Sequence, residues 1–524
     1  MERRTIVAIA DTPHGKRMNP SPTERTFRLR ENYPVLFLAA ALFVVHLLCN
    51  GHYGFHRDEL QVLDDARHLA WGYVAYPPLT AFLGRIELLL FGTSLTGFRI
   101  FSALAQCIAV VLVGLIAGEL GGNSRARFVA ALATACMPFT LLAGSEFMYV
   151  SFDFLWWVLL VWLLLRLINT GNPRWWLAIG AAIGLGMLTR YTIGFCVAGL
   201  VAGVLATRMR AQLRSPWLWA GVALSLLLFL PNFLWQVQHD FVYLDFVRHI
   251  HERDIRWGRT SGYFPDQLYG NASLFTLPLW VAGLWFVTMG RDGARYRIVA
   301  FLYLVPLALF ALARGRGYYM APAYPMLLAA GAVAWERWIE QLKPFAATGL
   351  RVAGGLLLVL AAVSSAMVAL PIAPVNSRGW TISRRAHDDF AEQIGWQELA
   401  QRVAEIYRSL PEAERAHTAI LANNYGEAGA IDLYGPALGL PPAISRTNSY
   451  WYRGYGDPPP LTVIELGNTA EGEKGSVAKC TPYGRFRNSE GVDNEESASG
   501  YEIFVCRDIP PKWKEIWGAK PRFG

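Results

Sequence analysis

The stretch PVLFLAAALFVVHLL, Pro34 to Leu48, is apolar but for His46 and, with its flanks, is long enough to cross a bilayer. The chain then reads His56-Arg57-Asp58-Glu59-Leu60, passes Trp71-Gly72-Tyr73 and reaches Tyr76-Pro77-Pro78-Leu79. Two carboxylates therefore stand where the chain first leaves the apolar layer. Desolvating such a pair is costly, so its position points to chemistry at the membrane boundary.

Similar apolar runs recur. Of 524 residues 53% are hydrophobic and only 17% charged, with a mean hydropathy of +0.27, which makes the chain a polytopic membrane protein. The pattern predicts about eleven spans, with cores near 33–50, 97–120, 126–146, 149–168, 175–189, 191–207, 216–236, 271–290, 297–313, 318–338 and 348–371. Arg190-Tyr191 interrupts the fifth and sixth, which read equally as one broken helix. Some thirty polar residues precede the first run and no small-residue cleavage site follows it, so no cleavable leader is expected.

The charge is uneven. Residues 1–375 carry 31 Lys+Arg against 20 Asp+Glu, and residues 376–524 carry 17 against 20. The basic excess belongs to the membrane half, which argues against a nucleic-acid partner. With the N-terminal tail, 1–32, in the cytoplasm, every inner loop is basic, as membrane insertion requires: Arg125 and Arg127, Arg166 and Arg174, Arg208 to Arg214, Arg291 to Arg297, Arg337 and Lys343. An odd span count then puts 376–524 on the outer face, the periplasm of a bacterial inner membrane.

The expected organisation is a membrane domain, 33–375, with a first outer loop at 51–96, and a small α/β extracytoplasmic domain at 376–524. In that loop Asp58 to Trp71 reads as an amphipathic interfacial helix, with Leu63, Ala66 and Ala70 on one side and Asp58, Gln61, Asp65 and His68 on the other. In the last region Ala391 to Leu410 reads as a helix, and Thr418–Ala422, Leu461–Ile464 and Tyr501–Val505 as strands. Cys480 and Cys506 are a possible disulfide if that region is outside the cytoplasm, whereas Cys49, Cys107, Cys136 and Cys196 read as apolar core.

Three groups carry candidate chemistry. Asp58 and Glu59 suit a general base that takes a proton from an acceptor hydroxyl, although an acid at a helix start also complements the helix dipole. Asp153, near the outer end of the fourth span, should face the bundle interior and either orient a ligand or pair another helix. Arg314-Gly315-Arg316-Gly317-Tyr318-Tyr319 offers two guanidiniums and two phenols to a phosphate, or anchors the turn in the headgroups. Histidines 52, 56, 68, 239, 249 and 251 match no strong ligand spacing; no metal site is assigned, and a divalent cation remains open as a cofactor. No Walker A or dinucleotide fingerprint is present, which argues against a nucleotide-driven pump.

Taken together these residues resemble a known family. Asp58-Glu59-Leu60, Ala66-Arg67-His68-Leu69-Ala70-Trp71-Gly72-Tyr73 and Pro77-Pro78-Leu79 resemble the first outer loop of bacterial family 39 glycosyltransferases, GT-C enzymes akin to protein O-mannosyltransferases and lipid A aminoarabinose transferases. The resemblance continues through Phe91-Gly92 to Arg99, Gly184-Leu185-Gly186 to Arg190-Tyr191, Tyr318-Tyr319 to Tyr324-Pro325, and Asn424 to Ala430. It implies an inverting transferase that draws a sugar from a polyprenyl phosphate on the outer face and passes it to a lipid, glycan or protein acceptor. It implies Asp58 as catalytic base with Glu59 beside it, Asp153 as a second catalytic acid, and Arg314, Arg316, Tyr318 and Tyr319 as the donor-phosphate site. His56 and Tyr76 are substrate-binding candidates. Tyr76 stands where lipid A-type relatives often carry Lys, which removes one cation and puts an aminoarabinose donor or lipid A acceptor in doubt. A transporter or flippase of a lipid-linked sugar is the alternative, one that leaves the outer-loop carboxylates and the appended domain unexplained.

Overall fold

The computed structural model describes residues 29–468, 479–494, 502–509 and 511–524. Most of the tail 1–32 and Tyr501, the first residue of an expected strand, lie outside the described residues.

The membrane half runs α1 (Leu29–Cys49), α2 (Arg57–Arg67), α3 (Leu79–Phe91), α4 (Ile100–Glu119), α5 (Ser124–Ala135), α6 (Pro138–Gly144), α7 (Tyr149–Thr170), α8 (Trp175–Met187) and α9 (Ile193–Ala206). It continues with α10 (Pro216–Gln238), α11 (Val242–Arg256), α12 (Tyr263–Leu268), α13 (Leu277–Thr288), α14 (Ile298–Leu312), α15 (Tyr324–Ile339) and α16 (Pro344–Ala369). Leu112, Trp157, Ile179, Leu200, Leu302 and Leu328 belong to one continuous apolar core inside this bundle.

Eleven independent spans do not emerge. Among the described residues five helices are long and apolar enough to cross alone, or up to seven if each of two bent pairs is one span. The expected span 126–146 is one such pair, α5 and α6, bent by 64°. Its break falls at Pro138, whose ring disfavours a helical conformation at Met137. Arg190-Tyr191 does divide two helices: α8 and α9 have 13 and 14 residues. At 1.5 Å per residue each is about 20 Å, short of the ~30 Å hydrocarbon layer. The tenth run begins as a 3₁₀ turn, Gly317–Ala323, so that α15 starts only at Tyr324. Packing within the bundle lets such short helices stand.

The C-terminal region adds α17 (Arg378–Ala386), α18 (Trp396–Ser409), α19 (Glu412–Arg415) and α20 (Tyr425–Tyr434), with α21 (Trp513–Trp517) at the end. The helix expected from Ala391 is broken at Gly395, which takes a φ of +95° open to glycine at little cost. Strands β1 (Thr418–Ala422), β2 (Ala443–Ser445), β3 (Thr462–Asn468), β4 (Lys479–Arg485) and β5 (Glu502–Arg507) form one sheet in the order β2-β1-β3-β5-β4. β1 is parallel to β2 and β3, and β5 is antiparallel to β3 and β4. Cys480 and Cys506 face each other across β4 and β5 and are joined as a disulfide.

This region and the segment that follows α1 share one core. Leu60, Leu63, Phe98 and Phe147 pack in the same apolar cluster as Trp396, Leu399, Ile420 and Ile431. α2 and α20 approach closely because α20 presents glycine: a Cβ on Gly429 would lie 2.8 Å from the Leu60 Cβ and 2.9 Å from its carbonyl oxygen. The expected interfacial helix is therefore corrected. α2 ends at Arg67 rather than Trp71, and its polar side is buried against the C-terminal domain instead of facing headgroups.

Candidate active site

His56 caps α2. Its Nδ1 accepts from the Asp58 amide, and its own amide donates to Glu59 Oε2 at 2.8 Å, a reciprocal capping box. One ring nitrogen of His56 is thus committed to the backbone, and the residue is buried.

Asp58 and Glu59, adjacent in sequence, turn to different places. Glu59 is fully buried and forms a two-pronged pair with Arg99, Nε to Oε1 at 2.9 Å and Nη2 to Oε2 at 2.6 Å. It also accepts from the Phe147 amide at 2.7 Å. Arg99, equally buried, donates further to the carbonyls of Asn50 and Gly54. Glu59 therefore ties the first loop to α4 and to the turn before α7. Both of its oxygens are engaged by fixed donors, whereas the Asp58 side chain stays part-exposed.

Asp58 keeps 35% of its side-chain surface exposed. The Tyr425 hydroxyl, from the first turn of α20, donates to Oδ1 at 2.6 Å. Arg57 donates to that same hydroxyl from Nε and Nη2, at 3.2 and 3.0 Å, and its guanidinium lies 4.9 Å from the Tyr425 ring centroid. Burial and the Asp58 charge push the Tyr425 phenol well above its ordinary range, against the opposing charge of Arg57, so it stays a donor. Asn424 and Glu427 hold that end of α20 with a second capping box, and a Cβ on Gly426 would lie 3.0 Å from the Arg57 Cβ.

A second cluster lies beyond Tyr149. Arg190, in the break between α8 and α9, is 8% exposed. Its guanidinium carbon sits 5.2, 5.7 and 4.7 Å from the ring centroids of Tyr149, Tyr318 and Tyr319. Asp153 Oδ2 stands 3.6 Å from Arg190 Nη1 and accepts from Thr192 Oγ1 at 3.2 Å. Tyr149 joins the second cluster to the first loop: its ring stacks on Tyr76 at 5.7 Å.

The other expected residues fall unevenly. Tyr318 and Tyr319 belong to this cage. Arg316 is held at both prongs by Asp254 of α11, at 2.6 and 2.5 Å, and stays within electrostatic reach of both phenols. Arg314 is exposed at the turn with a φ of +48° and is not in the cage. The expected arginine pair is thus divided, Arg316 committed to Asp254 and Arg314 exposed. Tyr76 is buried and donates to Asp65 Oδ2 at 2.6 Å, serving the loop core. Asp65 and Asp64 both meet Arg453 of the C-terminal domain.

Sequence reasoning missed Arg190 as a site residue, although an arginine splitting an apolar run was a signal in itself. It missed Tyr425 and Arg57, which become neighbours only in the fold. It also missed the pair at the domain junction, where His387 Nδ1 stands 3.2 Å from Asp389 Oδ2. Burial alone would raise Asp389, but the hydrogen bond and charge of His387, with the charges of His56 and Arg316, hold it down at about 2. Burial would lower His387, yet Asp389 and the Val368 carbonyl raise it above its ordinary value. Among the described residues no group of three or more His, Cys, Asp or Glu is gathered to hold a metal ion.

Comparison with known proteins places this geometry in a family context. Residues 75–235 match the family described as dolichyl-phosphate-mannose-protein mannosyltransferase. Over 269 residues the chain is 28% identical to the undecaprenyl phosphate-alpha-4-amino-4-deoxy-L-arabinose arabinosyl transferase 1 of Pseudomonas fluorescens strain Pf-5, covering 47% of each chain. The like-named protein of strain Pf0-1 is 30% identical over 278 residues, 48% of this chain and 46% of that one. The chain thus spans about half the length of the curated relatives it matches. Among solved structures it resembles ArnT from Cupriavidus metallidurans in the apo state, with a TM-score of 0.58 at 15% identity over 91% of this chain and 98% of that one. The same protein bound to undecaprenyl phosphate gives 0.56 at 15% identity, covering 90% and 97%. The likeness is one of fold: the chain is built like ArnT over most of its length.

Proposed function

We propose that the chain is an inverting glycosyltransferase that moves a sugar from a polyprenyl-phosphate donor to an acceptor at the outer face of a bacterial inner membrane. The observation that carries this is the pairing of two unlike groups across Tyr149: a part-exposed carboxylate, Asp58, and a guanidinium, Arg190, walled by three phenols. Support comes also from the names of the relatives, which specify an undecaprenyl-phosphate-linked sugar, and from the undecaprenyl phosphate bound in the ArnT structure.

Asp58 takes the proton of an acceptor hydroxyl as that oxygen attacks the anomeric carbon. Tyr425 and Arg57 fix the carboxylate so that one oxygen is oriented toward the acceptor. On the opposite side the sugar–phosphate bond breaks and polyprenyl phosphate leaves. Arg190 meets the negative charge gathering on its oxygens, with Tyr149, Tyr318 and Tyr319 as hydroxyl donors. Asp153 positions Arg190 and does not take the proton. Glu59 acts through Arg99 and the loop, and His56 and Tyr76 act through α2 and its packing. With Tyr76 bound to Asp65, the phosphate site relies on Arg190 for its cation. The C-terminal domain, 376–524, supplies Tyr425 and faces the periplasm in this reading, with the tail 1–32 in the cytoplasm. The acceptor is a lipid, glycan or protein.

The test is transfer of labelled sugar from polyprenyl phosphate by purified protein in detergent, where no gradient exists. Turnover by the wild type, lowered by about 100-fold or more in Asp58→Asn, is the expected result. Binding of donor without turnover by the wild type would sink the reading and leave a carrier of lipid-linked sugar in its place.

A further inference from the structure

A second site lies at the opposite end of the bundle. A cavity of about 480 Å³ opens between the start of α1, α5, the start of α13, the end of α15 and α16. Phe128, Leu132, Phe275, Leu279, Trp335 and Leu358 line it, so its body is hydrocarbon. Pro34, the α5 start and the α15 end share this level; Cys49 closes α1 near Asn50, which accepts from Arg99 at the other end. The cavity is therefore far along the bundle from Asp58, beside the basic loops.

Its mouth is polar and cationic. Arg351 Nη2 meets the buried Glu336 Oε2 at 3.1 Å, while Arg351 Nε is buried with no hydrogen-bond partner. Arg125, on the same rim, is exposed. The floor is smooth: a Cβ on Gly355 would meet nothing within 4 Å, and one on Gly354 only the Trp335 ring at 3.8 Å. A hydrocarbon-lined cavity of this size suits an apolar ligand, and within a bilayer a lipid chain is the one at hand. A cationic mouth between helices on the basic side adds selection for a negative headgroup.

We propose that this cavity is a lipid-binding site that takes one acyl chain of an anionic phospholipid from the leaflet beside the basic loops, with Arg351 and Arg125 meeting its phosphate. The lipid fills the seam between α16 and the rest of the bundle. It is separate from the sugar donor, whose phosphate belongs at the Asp58 end. The site stands on its own geometry and does not depend on the transfer reaction.

The test is native mass spectrometry of delipidated full-length protein titrated with phosphatidylglycerol, phosphatidylcholine or polyprenyl phosphate. One phosphatidylglycerol is expected to bind in preference to phosphatidylcholine and to persist against polyprenyl phosphate. Gly355→Phe should plug the cavity and abolish that retention, with an unchanged thermal-unfolding midpoint in detergent reporting an intact fold. Arg125→Gln should weaken phosphatidylglycerol about fivefold, the worth of one cation at an anionic surface. The double variant Glu336→Gln with Arg351→Gln removes the charge without stranding a buried carboxylate, and should erase the preference for the anionic lipid. Equal retention of phosphatidylcholine, displacement by polyprenyl phosphate, or undiminished binding by folded Gly355→Phe would each overturn the proposal.

Discussion

The first outer helix and the Arg314–Tyr319 turn were read from sequence in the same way, as strings of neighbouring functional groups, and the fold divides both strings. On α2, consecutive residues point about 100° apart, so Glu59 enters the core to meet Arg99 while Asp58 turns toward Tyr425. In the turn, Arg316 is drawn to Asp254 while Tyr318 and Tyr319 wall a different arginine. The two regions differ in what is left. In the proposed reading α2 keeps Asp58 for the chemistry and commits Glu59 to Arg99. The turn keeps its phenols and receives its cation from Arg190, more than a hundred positions earlier. Adjacent groups in a sequence are thus seldom one site; each goes where its own charge is satisfied.

That comparison can be broken experimentally. Asp58→Asn should lower turnover by about 100- to 10,000-fold, the range for a lost general base, with no change in the thermal-unfolding midpoint in detergent. Glu59→Gln should do the reverse in kind. It strands the buried Arg99 and should cost about 3–5 kcal/mol of stability, seen as a fall in that midpoint, with activity lost only as the fold is lost. A Glu59 variant that folds normally but cannot turn over would show that the two acids share the chemistry after all.

Smaller effects sharpen the contrast at the turn. Arg190→Gln should reduce kcat/KM by about 100-fold or more, as when a group stabilising developing charge is removed. Arg316→Gln should instead destabilise the α11 contact, by about 1–3 kcal/mol for the partner left unmatched, with less effect on catalysis. Equal kinetic losses from both would restore the original pair as the phosphate site.

The mildest prediction concerns pH. Asp389 is held below its unfolded value, so its contribution is present above about pH 4 and is lost as pH falls toward 2. His387 is held above its unfolded value, so its contribution is full below about 6.5 and is lost as pH rises through its raised folded value. The junction should be firmest between these limits. His387→Gln should flatten the alkaline side of an unfolding-midpoint profile, and an unchanged profile would remove this pair from the stability of the domain contact.

Much of the architecture was legible in one dimension because membrane insertion is written in composition: apolar length, basic loops and the shift to a polar region after residue 375 are local properties. Short strands were found where β-branched residues cluster, as in Thr418–Ala422. The small β2, and β4 with its Pro482 and Gly484, carry no such signal. Which of the expected spans cross alone was not legible, because hydropathy does not distinguish a helix that crosses alone from short or bent ones sheltered by neighbours.

The primary chain by itself settled that this is a helical membrane protein with a small α/β appendage, and it marked Asp58, Asp153 and the paired tyrosines as groups needing a reason. It did not reveal that the polar face of α2 closes against Tyr425 and Arg453, residues more than 360 positions away. Nor did it show which of two adjacent carboxylates is consumed by a buried arginine. Partner choice among charges depends on distance and desolvation, and both exist only once the chain has folded back on itself.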